Sequence, residues 1–287
     1  MKHGLLFTNH FLSSPHFDAL YAQLEAAAER LNIKLLRATG GDCVMPFDAH
    51  PAKDADFVLF WDKDIAAARR MVRHGIPVFN SPDAIRICDS KSETAEALLS
   101  AGVPTPRTLS APTTYPAIGY TKTDFVQKAG KALGYPLVIK ECYGSFGEQV
   151  YLASTEAEAV AIVSDLDGRP FVFQEMIKES FGTDIRVNVV GDNAVCAMRR
   201  TGKAGDFRSN IAGGGSGAPY TLSEKEAEIA VSAARAVGAD FAGVDLLLGK
   251  DGPLVCEVNS NPHFTGTLRY TGVDLAIPIF EHILKSI

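Results

Sequence analysis

The chain has 287 residues, of which 46% are hydrophobic and 22% charged, and its formal net charge is -6 at pH 7. These values are typical of a globular protein with one large or two to three smaller domains. No Lys/Arg run predicts a nucleic-acid surface and no apolar run is long enough to span a bilayer, so we expect neither nucleic acid nor membrane as a partner. The five cysteines form no C-x-x-C pair, which favours free thiols in a reducing cytoplasm over disulfides or a zinc site.

The first 88 residues alternate short apolar strands with amphipathic helices. Strands are predicted at 4–8, 33–37, 56–61 and 77–80, and helices at 17–31 and 65–74. The run 56–61 is almost continuously apolar, as in a parallel strand that is buried on both faces. We therefore predict a small α/β sheet domain over residues 1–88.

The chain changes character after residue 88. Over 89–170 we predict helices at 90–101, 123–133 and 155–164, strands at 136–140 and 149–152, and a Pro- and Thr-rich connector at 105–119. Ser90 and Thr155 are each followed three residues later by a glutamate, which predicts a capping box at two helix starts. Strands at 171–177, 184–190, 193–200, 243–248 and 254–259 dominate a third segment, 171–287, with helices at 223–237 and 275–285. The fold class is α/β, with α+β character in this C-terminal part.

Two apolar strands joined by a tight turn at 249–252 carry the most informative side chains. Glu257 and Asn259 are two residues apart and so share one face of their strand. A hairpin centred on Asp251 places Asp245 across from Glu257. Oxygen donors of this kind suit a hard cation such as Mg²⁺. The alternative is a solvent-facing acidic edge.

Three further segments carry candidate chemistry, each with a plainer alternative. Lys140 ends an apolar strand and precedes a glycine-bearing loop, 143–147, which could contact nucleotide phosphates or could be a surface lysine and a turn. The strand 171–177 could offer its edge to an adenine, or could be a core strand. Asp184, Arg186 and Asn188 share a face near Arg200 and 206–210, which suits phosphate recognition or a solvated charged face. His263 beside Pro262 is interpreted as a packing or substrate residue.

The order of these segments is more specific than any one of them. Asp89-x-Lys91 at a helix start is followed by PLVIK, YGSFG, FVFQEMI, GTDIRVNVVG, GDFRSN, AGVDLL and EVNSNP. From about Asp89 to the C-terminus this order resembles the ATP-grasp superfamily, and within it the RimK-type ligases. The resemblance implies an ATP-grasp fold with a pre-ATP-grasp domain at 1–88, a central sub-domain at 89–170 and a C-terminal sub-domain at 171–287 that carries the Mg²⁺ site.

The resemblance also implies an ATP- and Mg²⁺-dependent carbon–nitrogen ligase. Such an enzyme phosphorylates a small-molecule or peptide carboxylate, and an amine, here an amino acid or peptide, attacks the acyl phosphate. The implied catalytic residues are Arg200 and Lys140. The residues implied to bind the nucleotide, with Glu175 and Met176 at the adenine and Asp184 at the ribose, are Lys91, Lys140, Gly144, Ser145, Glu175, Met176, Asp184, Arg208, Ser209 and Asn210. One or two Mg²⁺, or Mn²⁺ in their place, would be held by Asp245, Glu257 and Asn259.

The chain departs from the RimK-type pattern after the metal asparagine. Asn261-Pro262-His263-Phe264 introduces bulk where small residues are common, so the substrate pair stays open. Two alternatives to a ligase remain: an ATP-grasp kinase that phosphorylates a hydroxyl, and a nucleotide-binding protein without turnover. The resemblance further implies a homo-oligomer.

Overall fold

The computed structural model describes residues 1–144, 147–210 and 214–287. Ser145, predicted to contact the nucleotide, lies outside the described residues. None of the helices in the described part of the chain combines the length and apolar character that crossing a bilayer requires.

A parallel sheet in the order β2-β1-β3-β4 forms the N-terminal domain, which confirms the predicted α/β character. Its elements are β1 (Lys2–Thr8), α1 (Pro15–Arg30), β2 (Ile33–Thr39), β3 (Phe57–Trp61), α2 (Ile65–Arg73) and β4 (Val78–Phe79). All five residues of β3 are buried, because the strand lies inside the sheet and is covered on both faces.

Two helices lead out of this domain, although the sequence predicted only the second. They are α3 (Pro82–Asp89) and α4 (Lys91–Ser100). The hydroxyl of Ser81 accepts a hydrogen bond from the backbone of α3, and Pro82 occupies the first turn, where its missing N–H costs nothing. The predicted capping box at Ser90 is half formed, because the Glu93 carboxylate pairs with Arg86 instead of the cap backbone.

An antiparallel sheet in the order β5-β8-β6-β7 forms the central sub-domain. Its elements are β5 (Thr108–Ser110), α5 (Asp124–Leu133), β6 (Leu137–Glu141), β7 (Val150–Ala153), α6 (Glu156–Asp165) and β8 (Phe171–Glu175). The predicted connector 105–119 therefore contains a strand. Because β8 is hydrogen-bonded between β5 and β6, the division between the central and C-terminal sheets falls after Glu175 and not before Phe171.

A second antiparallel sheet, in the order β11-β10-β9-β12-β13, forms the C-terminal sub-domain. Its elements are β9 (Thr183–Val190), β10 (Asn193–Thr201), β11 (Ser216–Tyr220), α7 (Glu224–Ala236), β12 (Phe241–Gly249), β13 (Gly252–Asn259), α8 (Thr265–Thr271) and α9 (Ala276–Ser286). The predicted hairpin is present as β12 and β13, and Asp245 pairs with Glu257 across it. A register shift follows directly after Asp245.

The hydrophobic cores do not follow the sheets one to one. One core joins β3 and α1 of the N-terminal domain to the C-terminal part, where Trp61 stacks on Phe241 and Phe57 contacts Phe280 of α9. The central sheet has a separate core with α5 and α6. A cleft therefore lies between the central sheet and a body built from the other two.

Candidate active site

A cleft of about 700 Å³ opens between the central sheet and this larger body. Every site residue predicted from the sequence, apart from Ser145, lines it. These residues are Lys91, Lys140, Gly144, Glu175, Met176, Asp184, Arg200, Arg208, Ser209, Asn210, Asp245, Glu257 and Asn259.

Lys140 lies near the end of β6, a strand whose five residues are all buried. Its ammonium donates to the Cys256 sulfur at 3.2 Å. Burial alone would lower the pKa of Lys140, but Cys256, Glu257 and Asp245 outweigh it, so this pKa lies above the ordinary value. Burial raises the pKa of the Cys256 thiol. The cleft therefore carries a positive charge at the end of β6.

The Glu175–Met176 segment lies where β8 leaves its sheet. The Glu175 carboxylate accepts hydrogen bonds from the Arg107 backbone N–H at 2.7 Å and from its guanidinium Nε at 2.9 Å. The Glu175 N–H donates to the Arg107 carbonyl at 3.0 Å. This segment is therefore anchored from outside the cleft, while Met176 lines the cleft wall.

Two arginines and two aspartates form a buried network on one face of β9, β10 and β12. Arg200 donates through Nε to Asp184 at 2.7 Å and lies 2.8 Å from an Asp245 oxygen. Arg186 donates to Asp245 at 2.9 Å. Burial opposes ionisation of Asp245, but Arg186 and Arg200 outweigh it and lower its pKa. The same two aspartates raise the pKa of the buried Arg200 guanidinium.

This network holds Asp184, which the resemblance places at the ribose. Both of its carboxylate oxygens accept hydrogen bonds, from Arg200 and from the Ser209 hydroxyl. Asp184 therefore orients Arg200, and because its Oδ1 accepts only one hydrogen bond from the residues that the structure describes, it can still accept another. The ribose contact implied by the resemblance stays a prediction. Arg186, which shares the predicted polar face but was not assigned a role, supplies the second cation.

The residues predicted to hold a metal lie together on the β12–β13 hairpin. Asp245 faces Glu257, and Asn259 faces Gly243. The Asn259 amide nitrogen donates to the Gly243 carbonyl at 3.3 Å, and the Glu257 carboxylate lies 4.0 Å from the Lys91 ammonium. No three His, Cys, Asp or Glu side chains among residues 1–144, 147–210 and 214–287 are grouped to hold a metal. The donors are instead two carboxylates and one amide oxygen, a set that fits Mg²⁺.

Two loops meet over the cleft. Arg208 pairs with Asp206 at 3.0 Å, and its Nη1 donates to the Gly147 carbonyl at 2.9 Å. Gly147 has a φ of +74°, and a Cβ there would lie 2.0 Å from the Asn210 amide nitrogen. A side chain at position 147 would therefore strain the left-handed backbone and displace the Asn210 amide.

A further part of the cleft wall contains Asp62 and Lys63, which the sequence did not single out as site residues. Asp62 and Lys63 follow β3, and Lys63 pairs with Asp89. Asn261, after β13, donates to the Asp62 carbonyl at 2.9 Å. The signal that could have found Asp62 is its position at the carboxyl end of a buried parallel strand, where ligands of α/β sheets commonly bind.

Comparisons with known proteins agree with the geometry. The RimK-like ATP-grasp domain model matches residues 88–283. The "Probable alpha-L-glutamate ligase 2" of Shewanella amazonensis is 41% identical over 253 residues, covering 86% of this chain and 79% of that protein. The "Probable alpha-L-glutamate ligase" of Legionella pneumophila is 34% identical over 302 residues, covering 100% and 96%. The "Ribosomal protein bS6--L-glutamate ligase" of Escherichia fergusonii is 34% identical, covering 89% and 81%.

Solved structures share the fold at low identity. The D-alanine--D-alanine ligase of Bacillus anthracis complexed with ATP superposes with a TM-score of 0.76 at 17% identity, covering 99% of this chain and 97% of that one. A RimK domain ATP-grasp protein of Sphaerobacter thermophilus gives 0.74 at 20% identity, covering 98% and 99%. The chain therefore belongs to the RimK-like ATP-grasp family and is an ATP-dependent ligase that joins a carboxylate to an amine.

Proposed function

We propose that this ligase joins the amino group of L-glutamate to the carboxylate of a peptide or protein, with ATP and Mg²⁺. The observation that carries the proposal is the meeting of Lys140, Arg200 and the β12–β13 oxygen donors in one cleft. The choice of glutamate rests on the relatives from Shewanella, Legionella and Escherichia, all of which are named as glutamate ligases.

A carboxylate becomes a good electrophile only after phosphorylation, and phosphoryl transfer depends mainly on positioning and charge stabilisation. We assign Lys140 and Lys91 to the ATP phosphates, because both ammonium groups line the cleft beside Glu257. Arg200, held by Asp184 and Asp245, would face the charge that develops on the transferred phosphoryl oxygens. The Glu175–Met176 edge would contact the adenine.

Glu257, Asn259 and Asp245 would hold one or two Mg²⁺, or Mn²⁺ in their place, and Asp245 would then exchange an arginine for the metal. A bound divalent ion supplies charge neutralisation between the phosphate groups. The amine, once its ammonium form has lost a proton to solvent, bonds through nitrogen to the acyl carbon, the carbon–oxygen bond to phosphate breaks, and one further amine proton leaves with the phosphate. Residues 206–210 and Gly147 would exclude water while the acyl phosphate exists.

The test begins with hydroxylamine, which traps acyl phosphates as hydroxamates. ATP, Mg²⁺ and a panel of peptide carboxylates should give ADP and a hydroxamate, and L-glutamate should replace hydroxylamine as the nucleophile. Glu257→Gln and Asn259→Ala should abolish turnover while the fold is retained. Asp251→Asn, on the exposed turn of the same hairpin, is the matched control.

ATP turnover that needs no amine and yields a stable phosphorylated alcohol would indicate a kinase instead. Full activity of either site variant would remove the role proposed for that residue.

We also propose a cytoplasmic location, supported by the five free cysteines. The homo-oligomer stays a prediction, which a measurement of the molar mass in solution by light scattering would test.

A further inference from the structure

Asp62 presents a carboxylate to the cleft without a charged partner. Its Oδ1 accepts hydrogen bonds from the Asn9 amide nitrogen at 3.0 Å and from the Lys63 backbone N–H at 2.7 Å. Both donors are neutral. Across the described ranges no Lys, Arg or His forms a salt bridge with Asp62, and its Oδ2 accepts no hydrogen bond. Most other carboxylates along the cleft are paired with a cation, namely Asp89, Glu175, Asp184 and Asp245.

Asn261 brings a second acceptor to the same place. Its amide nitrogen donates to the Asp62 backbone carbonyl at 2.9 Å, which fixes the amide against the end of β3. Its Oδ1 is buried and has no hydrogen-bond partner in the part of the chain that the structure describes. A buried acceptor without a donor is costly, so a polar group with spare donors is expected at this position.

The two acceptors define the chemistry of the missing group. It must offer several N–H donors to satisfy both oxygens, and a positive charge to match the carboxylate. A primary ammonium meets both needs, because it has three donors and no acceptor of its own. Asn261 lies two residues beyond Asn259, so the position adjoins the phosphate end of the cleft.

We propose that Asp62 and Asn261 bind the ammonium group of the amine substrate. The inference rests on the proposed ligase function and adds the site that holds its second substrate. It also gives a reason for the polar residue at position 261, because Asn261 both anchors the end of β3 and leaves an oxygen for the ligand. A substrate of the same size and carboxylates but without the ammonium should bind poorly.

L-Glutamate and glutarate form such a pair, because both carry two carboxylates and only glutamate carries the ammonium. Their affinities would be measured calorimetrically on the full chain with ADP and Mg²⁺. The wild type should bind glutamate at least about tenfold more tightly than glutarate, as expected for a charge-assisted hydrogen bond. Asp62→Asn should bring the ratio close to one, and Asn261→Ala should lower it. Asp54→Asn, an exposed carboxylate of the same domain, should keep the wild-type ratio.

Hydroxylamine separates this inference from the ligase function. It is uncharged near neutral pH, so hydroxamate formation by Asp62→Asn should equal that of the wild type, while the KM for glutamate rises and the KM for ATP does not change. Equal affinity of the wild type for glutamate and glutarate, or an unchanged ratio in Asp62→Asn, would overturn the inference. If no hydroxamate forms but the affinity ratio still depends on Asp62, the ligase proposal fails and the ammonium site stands.

Discussion

The imidazole rings of His16 and His263 stack with centroids 3.5 Å apart and planes 4° from parallel, which joins the start of α1 to the loop after β13. The His263 Nε2–H donates to the His16 carbonyl at 3.1 Å, and Nδ1 accepts from the Thr265 hydroxyl at 3.2 Å. Both ring nitrogens are therefore used within the protein when the ring is neutral. His263 is a packing residue at the end of the cleft, one of the two roles considered for it from the sequence.

Stability should depend on the protonation of His263. Burial, and then the neighbouring His16, lower the pKa of His263 from 6.5 to about 4. Between these two values the unfolded chain binds the additional proton, so the free energy of unfolding contributed by this ring is present above pH 6.5 and is lost as the pH falls toward 4. Denaturant titrations at several pH values should show that the free energy of unfolding falls less with decreasing pH in His263→Phe than in the wild type. His3→Gln, which removes an exposed ring, is the control, and parallel curves for His263→Phe and wild type would refute the assignment.

Removing the Arg200 guanidinium should damage both folding and turnover. Arg200→Met leaves Asp184 with only Ser209 and Asp245 with only Arg186. Breaking a buried ion pair costs about 3–5 kcal/mol, and the free energy of unfolding should fall by that order. Arg200→Lys should recover stability more than kcat, because one ammonium cannot reproduce the two-sided contact with both aspartates. Arg199→Met, the exposed neighbour on β10, should leave both quantities near wild type, and a loss of equal size there would contradict the network.

Gly147 should matter for ATP more than for stability. Gly147→Ala forces a side chain into a left-handed backbone and against Asn210. Gly75→Ala creates the same kind of backbone strain at a φ of +80° but meets no atom within 4 Å. Each variant should lose about 1 kcal/mol of unfolding free energy from the backbone. Only Gly147→Ala should raise the KM for ATP. Equal KM values in the two variants would show that the loop does not contribute to ATP binding.

Asn80 should be one of the most sensitive polar residues outside the cleft. Its fully buried amide donates to the carbonyls of Phe241 at 2.9 Å and Ser260 at 2.7 Å, and accepts from the backbone N–H groups of Asp240 and Phe241. Asn80→Ala leaves these buried backbone groups without hydrogen-bond partners, so we expect the free energy of unfolding to fall by about 3 kcal/mol in chemical denaturation. Asn193→Ala, at the exposed first residue of β10, is the matched control, and a similar small loss in both variants would show that water replaces the lost contacts.

The sequence predicted well those parts that depend on local chemistry. The β12–β13 hairpin follows from two apolar runs around a Lys-Asp-Gly turn, and the parallel β3 from an unbroken apolar run. It missed β11, an edge strand whose Gly217 and Pro219 are untypical of strands but are tolerated where one side of the ladder is unpaired. It also missed β5, because three residues in a Pro-rich segment become a strand only when β8 provides a partner.

The candidate active site likewise has some features that the local sequence predicts and others that depend on tertiary packing. Motif order placed its described residues in one cleft, because each sits at a strand end or in a loop of a recognisable fold. The hydrogen-bond and ion-pair partners of the cleft residues could not be predicted from the spacing of residues in the sequence. Asp184 and Arg200 come together through the pairing of β9 with β10, and Asp62 meets Asn261 only when the N-terminal domain packs against the C-terminal sheet.

The shared core of the N- and C-terminal sheets has a consequence for how the enzyme would open. Aromatic contacts such as Trp61 with Phe241 join those two sheets in one core, and α9 packs the end of the chain against its first domain. The central sheet has its separate core, so we expect it to be the part that moves, and the chain crosses between the two parts close to Arg107 and Glu175, which are paired. An adenine held beside Glu175 would therefore lie close to this crossing, where the displacement between the two parts would be smallest. The separation between the central sheet and the rest of the enzyme would be larger away from the crossing.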